Sequence, residues 1–357
     1  MTEIPGSYQI EIVHAGAETG CREAKAYFST PRLRPTPITF SANVSLDQGS
    51  APWLPAGLPL AMKAGRPLQV VGPLDRTAVG NAARAQTVLH RWFPELSPTA
   101  LLVDSFTGDG ALDGRGVGCF FSGGVDSFYS ALARADDITH LIFVTGFDIE
   151  LSNDDLAEQA LQGARATAAA MGKHLIEVKT NLRTLSNKHV QWGRHYFGAA
   201  LATVGLLLSD HIHTAIIPSS YHVDDLYPWG SHPELDPLWS NSKVRFEHHG
   251  TDRTRPQKVQ AISEDDAAMD HLRVCWRNPD GAFNCGRCEK CLRTMVNLRI
   301  AGALQRCRTL PSDFDIEAIG ASANRLSKIY ARENLDALLA SDVQDQELEA
   351  ALRALVV

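Results

Sequence analysis

Two short stretches concentrate the residue types that can do chemistry. The first is Ser122-Gly123-Gly124-Val125-Asp126-Ser127, which follows the apolar run Val117 to Phe121. Two consecutive glycines let the backbone take conformations closed to other residues, and let a ligand approach main-chain N–H groups. Asp126 and Ser127 then open a helix-like segment, SFYSALARA, so unpaired N–H groups and the positive end of a helix dipole face whatever the turn holds. That arrangement suits an anion, a phosphate above all. The second stretch is Cys275 followed by Cys285, Cys288 and Cys291, a C-x9-C-x2-C-x2-C spacing. Four thiolates at these intervals can close a tetrahedral site around one zinc ion. A shell closed by four cysteines leaves no position for substrate, so its expected role is structural.

The elements that must carry these residues follow from periodicity. Between 115 and 310, strand-like and helix-like runs alternate. Val117 to Phe121 and its helix to about Ala135 are followed by THLIFVTG, a helix over Asp154 to Met171 and a strand from Lys173 to Lys179. A helix over Trp192 to Ser209 then leads to a strand from His213 to Pro218. Strands separated by helices of this length predict an α/β fold, a parallel sheet with helices on both faces. Ligands of such sheets lie at the carboxyl ends of the strands, where the turn after Phe121 emerges. Phe143, Val144, Thr145 and Gly146, at the end of the second strand, are expected to line the same crevice. Pro218 to Lys258 shows no helical period and is rich in aromatic, histidine and acidic residues, as binding loops are.

Residues 1–108 carry short strand-like runs at Tyr8 to Val13, Pro37 to Val44 and Leu101 to Val103, with a helix-like Thr77 to Phe93. They read as a small α+β domain without an identifiable active site. The turn-rich Thr107 to Gly114 makes the boundary. Residues 311–357 read as helices with charged faces, expected to serve packing and oligomerisation, a homodimer included. The 357 residues are 44% hydrophobic and 21% charged, which is ordinary for a globular protein. The N-terminus lacks a basic segment leading into an apolar run, and no apolar stretch reaches membrane-spanning length, so a cytoplasmic protein without a membrane partner is expected. Four of the seven cysteines lie between Cys275 and Cys291, which suits a metal site in a reducing compartment. A net charge of −7 argues against a large nucleic-acid surface, although six Lys/Arg against two acids between Arg273 and Arg299 allow a local patch.

SGGVDS resembles the SGGxDS signature of the PP-loop ATP pyrophosphatases, which split ATP between its α and β phosphates. A Walker A loop is excluded, because no strand here feeds a GK[ST] helix start. The resemblance implies ATP as cofactor, with adenine near Phe143 to Gly146. Ser122, Asp126 and Ser127 fall among the catalytic positions. Lys258, which leads a helix start after the irregular segment, is implied in contact with ATP phosphates. Backbone N–H groups of Gly123 to Ser127 and the two serine hydroxyls suit the charge of departing pyrophosphate, with Mg²⁺ neutralising the rest. Asp126 could hold the metal or cap the helix. Over residues 115–302, the turn and the later four-cysteine cluster together resemble the 7-cyano-7-deazaguanine synthases of queuosine biosynthesis. That branch implies a ligase adenylating a 7-carboxy-7-deazaguanine-like carboxylate, with ammonia or another nucleophile giving amide or nitrile. The sequence departs from it in YPWGSHPELDPLW and in Arg293, one residue nearer the last cysteine than the branch's arginine. Two alternatives stand beside this reading, a tRNA-modifying PP-loop enzyme and a non-catalytic zinc-bearing nucleic-acid adaptor.

Overall fold

Alternation of side chains on the strand at His140–Thr145 sets the layers. Leu141 and Phe143 pack into one buried cluster and Ile142 into another, so the strand is covered on both faces. The computed structural model describes residues 8–13, 20–30, 33–108, 115–320 and 325–356. Its strands are β1 (Tyr8–Val13), β2 (Glu23–Thr30), β3 (Leu33–Ala42), β4 (Leu68–Val70) and β5 (Leu101–Leu102), then β6 (Gly116–Phe120), β7 (His140–Thr145), β8 (His174–Thr180), β9 (Ile212–Pro218) and β10 (Arg245–His249). All ten form one sheet in the order β10-β9-β6-β7-β8-β3-β2-β1-β4-β5. The five strands from β6 to β10 are mutually parallel. The chain is thus an α/β protein built on a large, mostly parallel sheet.

The helices are α1 (Trp53–Ala64), α2 (Arg76–Trp92), α3 (Val125–Ala133), α4 (Asp154–Ala170), α5 (Leu182–His189) and α6 (Phe197–Leu207), then α7 (Arg255–Ile262), α8 (Asp266–His271), α9 (Glu289–Ile300), α10 (Arg325–Ala340) and α11 (Gln346–Val356). One face of the sheet is covered by α1, α2, α5 and α6 and the other by α3, α4, α7, α8 and α9. In the tail, α10 and α11 pack on Val296 and Ile300 of α9. Among the described residues no helix is long and apolar enough to cross a membrane.

The N-terminal segment has the three strands and the helix its sequence predicts, with β2, β4 and α1 besides, and its strands continue the same sheet. β3 pairs antiparallel with β8, and the apolar side chains of α1 and α6 belong to one core. The turn-rich stretch from Thr107 to Gly114 falls mostly on residues 109–114, outside those described. The irregular segment after Pro218 contains β10, which pairs with β9 through Arg245↔Thr214 to His249↔Pro218. The helix expected over Trp192 to Ser209 begins as a π turn, Trp192–Tyr196, before α6.

Along the parallel strands the order reverses between β6 and β9: from β6 the chain moves outward through β7 and β8, then returns to lay down β9 and β10 on the other side. Loops diverge at such a reversal and leave a crevice beyond the strands' carboxyl ends. The Ser122–Ser127 turn emerges there.

Candidate active site and metal centre

At the end of β6, Gly123 takes φ +76°, a left-handed conformation that lets the chain turn sharply into α3. Gly124 is the helix N-cap in extended conformation, and no side chain caps this end, so its first N–H groups stay open. Ser127 is buried and donates through Oγ to the Gly124 carbonyl at 2.9 Å. Ser122 is exposed, its Oγ accepting from the Gly124 N–H at 3.4 Å.

Asp126 lies in the first turn of α3 and is not the cap. Its carboxylate accepts from Arg255 Nη1 at 3.2 Å and from Lys258 Nζ at 3.3 Å. Burial pushes this carboxyl up, but Lys258 and Arg255, with Lys290 and Arg293 farther off, outweigh it and hold its pKa below the usual range. Arg255 and Lys258 are three residues apart on α7 and so share one face. Lys258 is only 1% exposed and also donates to the Ser219 carbonyl at 2.6 Å, so it is a buried, positioned lysine.

A cavity of about 390 Å³ opens over the turn, within the size range of small-molecule sites. Ser122, Gly124, Val125, Asp126, Ser127, Phe143 and Val144 line it. Gly123, Thr145, Gly146 and Lys258 do not. Gly146 turns the chain, its N–H bonded to the Ile149 carbonyl at 3.1 Å, and Phe147, Asp148 and Ile149 line the cavity beyond it. Four cations absent from the sequence-derived set also reach the cavity: Arg183, Arg255, Arg273 and Lys290. Burial lowers the pKa of Arg255, Arg273 and Lys290. Available signals were Arg255 at i−3 from Lys258 and Lys290 inside Cys288-Glu289-Lys290-Cys291. The far wall is aromatic, with the Phe147 and Trp192 rings 5.0 Å apart. Here the π turn widens the helix, and Gly193 leaves the space that the Trp229 ring fills.

Beside the cavity, the thiols of Cys275, Cys285, Cys288 and Cys291 lie within 4.8 Å of one another. Cys275 Sγ is 3.9 Å from Cys288 Sγ, and Cys285 Sγ 3.9 Å from Cys291 Sγ. A tetrahedron with Zn–S bonds of about 2.3 Å has edges of about 3.8 Å, so the four residues fit a zinc ion and could hold one. The backbone N–H of Cys288 donates to Cys285 Sγ and that of Asn278 to Cys275 Sγ, both at 3.3 Å. The shared hydrogen bond lowers the Cys288 thiol and raises that of Cys291.

Asn284 fixes this knuckle. Its Oδ1 accepts from the Val274 and Cys275 N–H groups at 2.9 and 3.0 Å, and its Nδ2 donates to the Leu272 and Thr309 carbonyls. Arg273, two residues before Cys275, donates its N–H to the Gly123 carbonyl at 2.7 Å. Knuckle and turn are thereby tied by one backbone bond. The local basic patch is mostly consumed: Arg273 is buried, Arg293 lies over the Tyr330 ring at 3.7 Å and Arg299 pairs with Asp345 at 2.6 Å. No family model, curated protein or solved structure matches this chain.

Proposed function

We propose that this protein is an ATP-dependent adenylating enzyme of the PP-loop type, transferring AMP to a carboxylate and releasing pyrophosphate. What supports the reading is the SGGVDS turn at the sheet's reversal point, its open helix N-terminus facing a cavity flanked by Arg255, Arg273 and Lys290. The N–H groups at the start of α3 and the three cations offset the charge that builds on the leaving pyrophosphate. Asp126 holds Arg255 and Lys258 in place. With cations on both of its oxygens it fits a positioning role better than that of a magnesium ligand. Mg²⁺ would enter with the phosphates, whose oxygens supply much of its shell in such sites. The apolar wall with Phe143 and Phe147 suits adenine.

In the reaction a carboxylate oxygen bonds to the α phosphorus, the bond to the β-phosphate oxygen breaks and pyrophosphate leaves. A nitrogen nucleophile then displaces AMP from the acyl adenylate. Zinc on the four cysteines would be structural, holding the knuckle that positions Gly123. Labelled ATP incubated with Mg²⁺ and a pool of carboxylates is expected to give AMP and pyrophosphate. Because Ser122 is exposed, Ser122→Ala should leave the melting temperature unchanged yet slow this release about 10²-fold, as loss of one transition-state donor does. Direct formation of ADP would refute the reading.

A further inference from the structure

Among the described residues two carboxylates line the cavity over the turn, Asp126 and Asp148, and their surroundings differ. Asp126 has a cation on each oxygen. Asp148 is exposed and makes no hydrogen bond or ion pair among the described residues. Its backbone is nevertheless firmly placed. Phe147 and Ile149 on either side of it are buried, and the Ile149 carbonyl accepts from the Gly146 N–H at 3.1 Å. The Phe147 carbonyl accepts from Arg183, whose guanidinium lies over the Trp192 ring at 4.9 Å. A tip held by its neighbours thus presents one free carboxylate to the cavity.

The place of that carboxylate along the cavity is set from two sides. On one side stand Phe143 at the end of β7 and Phe147 on the tip itself, the apolar wall suited to adenine. On the other stand Lys290 and Arg273, whose N–H holds the Gly123 carbonyl of the turn at 2.7 Å. Burial lowers the pKa of both cations while the charge of Asp148 raises it, so the carboxylate is within electrostatic reach of each although it pairs with neither. Between a base on the aromatic wall and phosphates on the turn lies the sugar. A ribose offers two vicinal hydroxyls, and a carboxylate with both oxygens free accepts from both. An acid beyond the glycine-rich turn holds the ribose 2′-hydroxyl of dinucleotide-binding sheets on the same logic. A divalent ion suits the spot less well, because Arg273 and Lys290 would repel it.

We propose that Asp148 is a specificity-determining residue that accepts hydrogen bonds from the 2′- and 3′-hydroxyls of a ribonucleotide, so that the cavity selects ATP over its deoxy forms. This assignment rests on the adenylation reading and adds to it a contact that neither the turn nor the cysteine spacing supplies. A carboxylate that loses one hydroxyl still reaches water, so each bond is worth about 10-fold in affinity, the lower end for a charged acceptor.

Calorimetry on the full chain compares ATP, 2′-deoxy-ATP and 3′-deoxy-ATP, first without added Mg²⁺ and then with it. ATP should bind about 10-fold more tightly than either deoxy form in both series. Asp148→Ala should bind all three alike, its affinity for ATP having fallen about 10- to 100-fold, and should melt with the wild type because the side chain is exposed. Equal binding of the three nucleotides by the wild type, or unchanged discrimination in Asp148→Ala, would overturn the assignment. So would a loss in Asp148→Ala that appears only with Mg²⁺ and is the same for all three, which marks a metal ligand. AMP release with a pool of carboxylates reads the parent reaction separately. Release without discrimination sinks the role of Asp148 alone, discrimination without release sinks the adenylation reading and leaves Asp148 standing, and no ATP binding at millimolar concentration sinks both.

Discussion

Asp126 is one carboxylate shared by two buried cations, and its chemistry follows from that count. The sequence reveals an acid in the first turn of a helix but not its partners, because Arg255 and Lys258 are 129 and 132 residues away and no local pattern encodes that meeting. For the same reason Lys258 reads as a helix-start lysine near phosphates, whereas it is buried against Ser219 and Asp126. Asp126→Asn strands both cations and should cost about 3 kcal/mol of stability, as breaking a buried pair does. The pH dependence has a definite sign. With its folded pKa lowered, Asp126 contributes stability that is complete above the unfolded value of about 3.9 and is lost as pH falls through the folded value. The gap between wild type and Asp126→Asn in urea titrations should therefore be constant near neutrality and narrow below about pH 4. A gap that widens in acid would contradict the assignment.

The knuckle was the most legible element, since C-x2-C spacing states its ligands outright. What spacing could not show is its mounting: Asn284 bonding four backbone groups, and Arg273 linking the cluster to Gly123. Purified protein is expected to carry about one zinc per chain. Cys288→Ser should lose the metal, melt at lower temperature and, through the Arg273 link, bind ATP more weakly; mass spectrometry of metal content with a thermal melt reads this. Full zinc retention in the variant would refute the four-cysteine site. Other elements were invisible for physical reasons. α1 is buried on nearly every side and contains Pro59, so it shows no amphipathic period. β10 is RFEHH, too polar to announce a strand, and is held by pairing with β9. The π turn at Trp192 depends on Gly230, whose carbonyl accepts from Gly198 and whose N–H donates to Gly193, another contact between distant segments.

At the scale of the molecule, the alternation of strands and helices gave four of the five parallel strands, β6 to β9. The joining of the N-terminal strands to it could not be read, because strand pairing leaves no local signature. The seam is short: Phe40↔Thr180, Ser41↔Lys179 and Ala42↔Val178, reinforced by Asn43 and Asn181, whose side chains bond backbone across it. Behind it, α6 is buried on all sides and Tyr196 donates to the Ala56 carbonyl at 2.6 Å. A chain starting at residue 109 would bare both the β8 edge and α6. It is expected to aggregate, and size-exclusion chromatography of the truncated protein showing a stable monomer would count against a shared core. The seam also has a consequence for synthesis. Asn43 meets the Leu175 carbonyl across 132 residues of chain, so β3 leaves the ribosome long before its partner exists. At about 5–20 residues per second the nascent N-terminal half waits roughly 7–26 s with an open edge, the interval in which a chaperone would have to guard it.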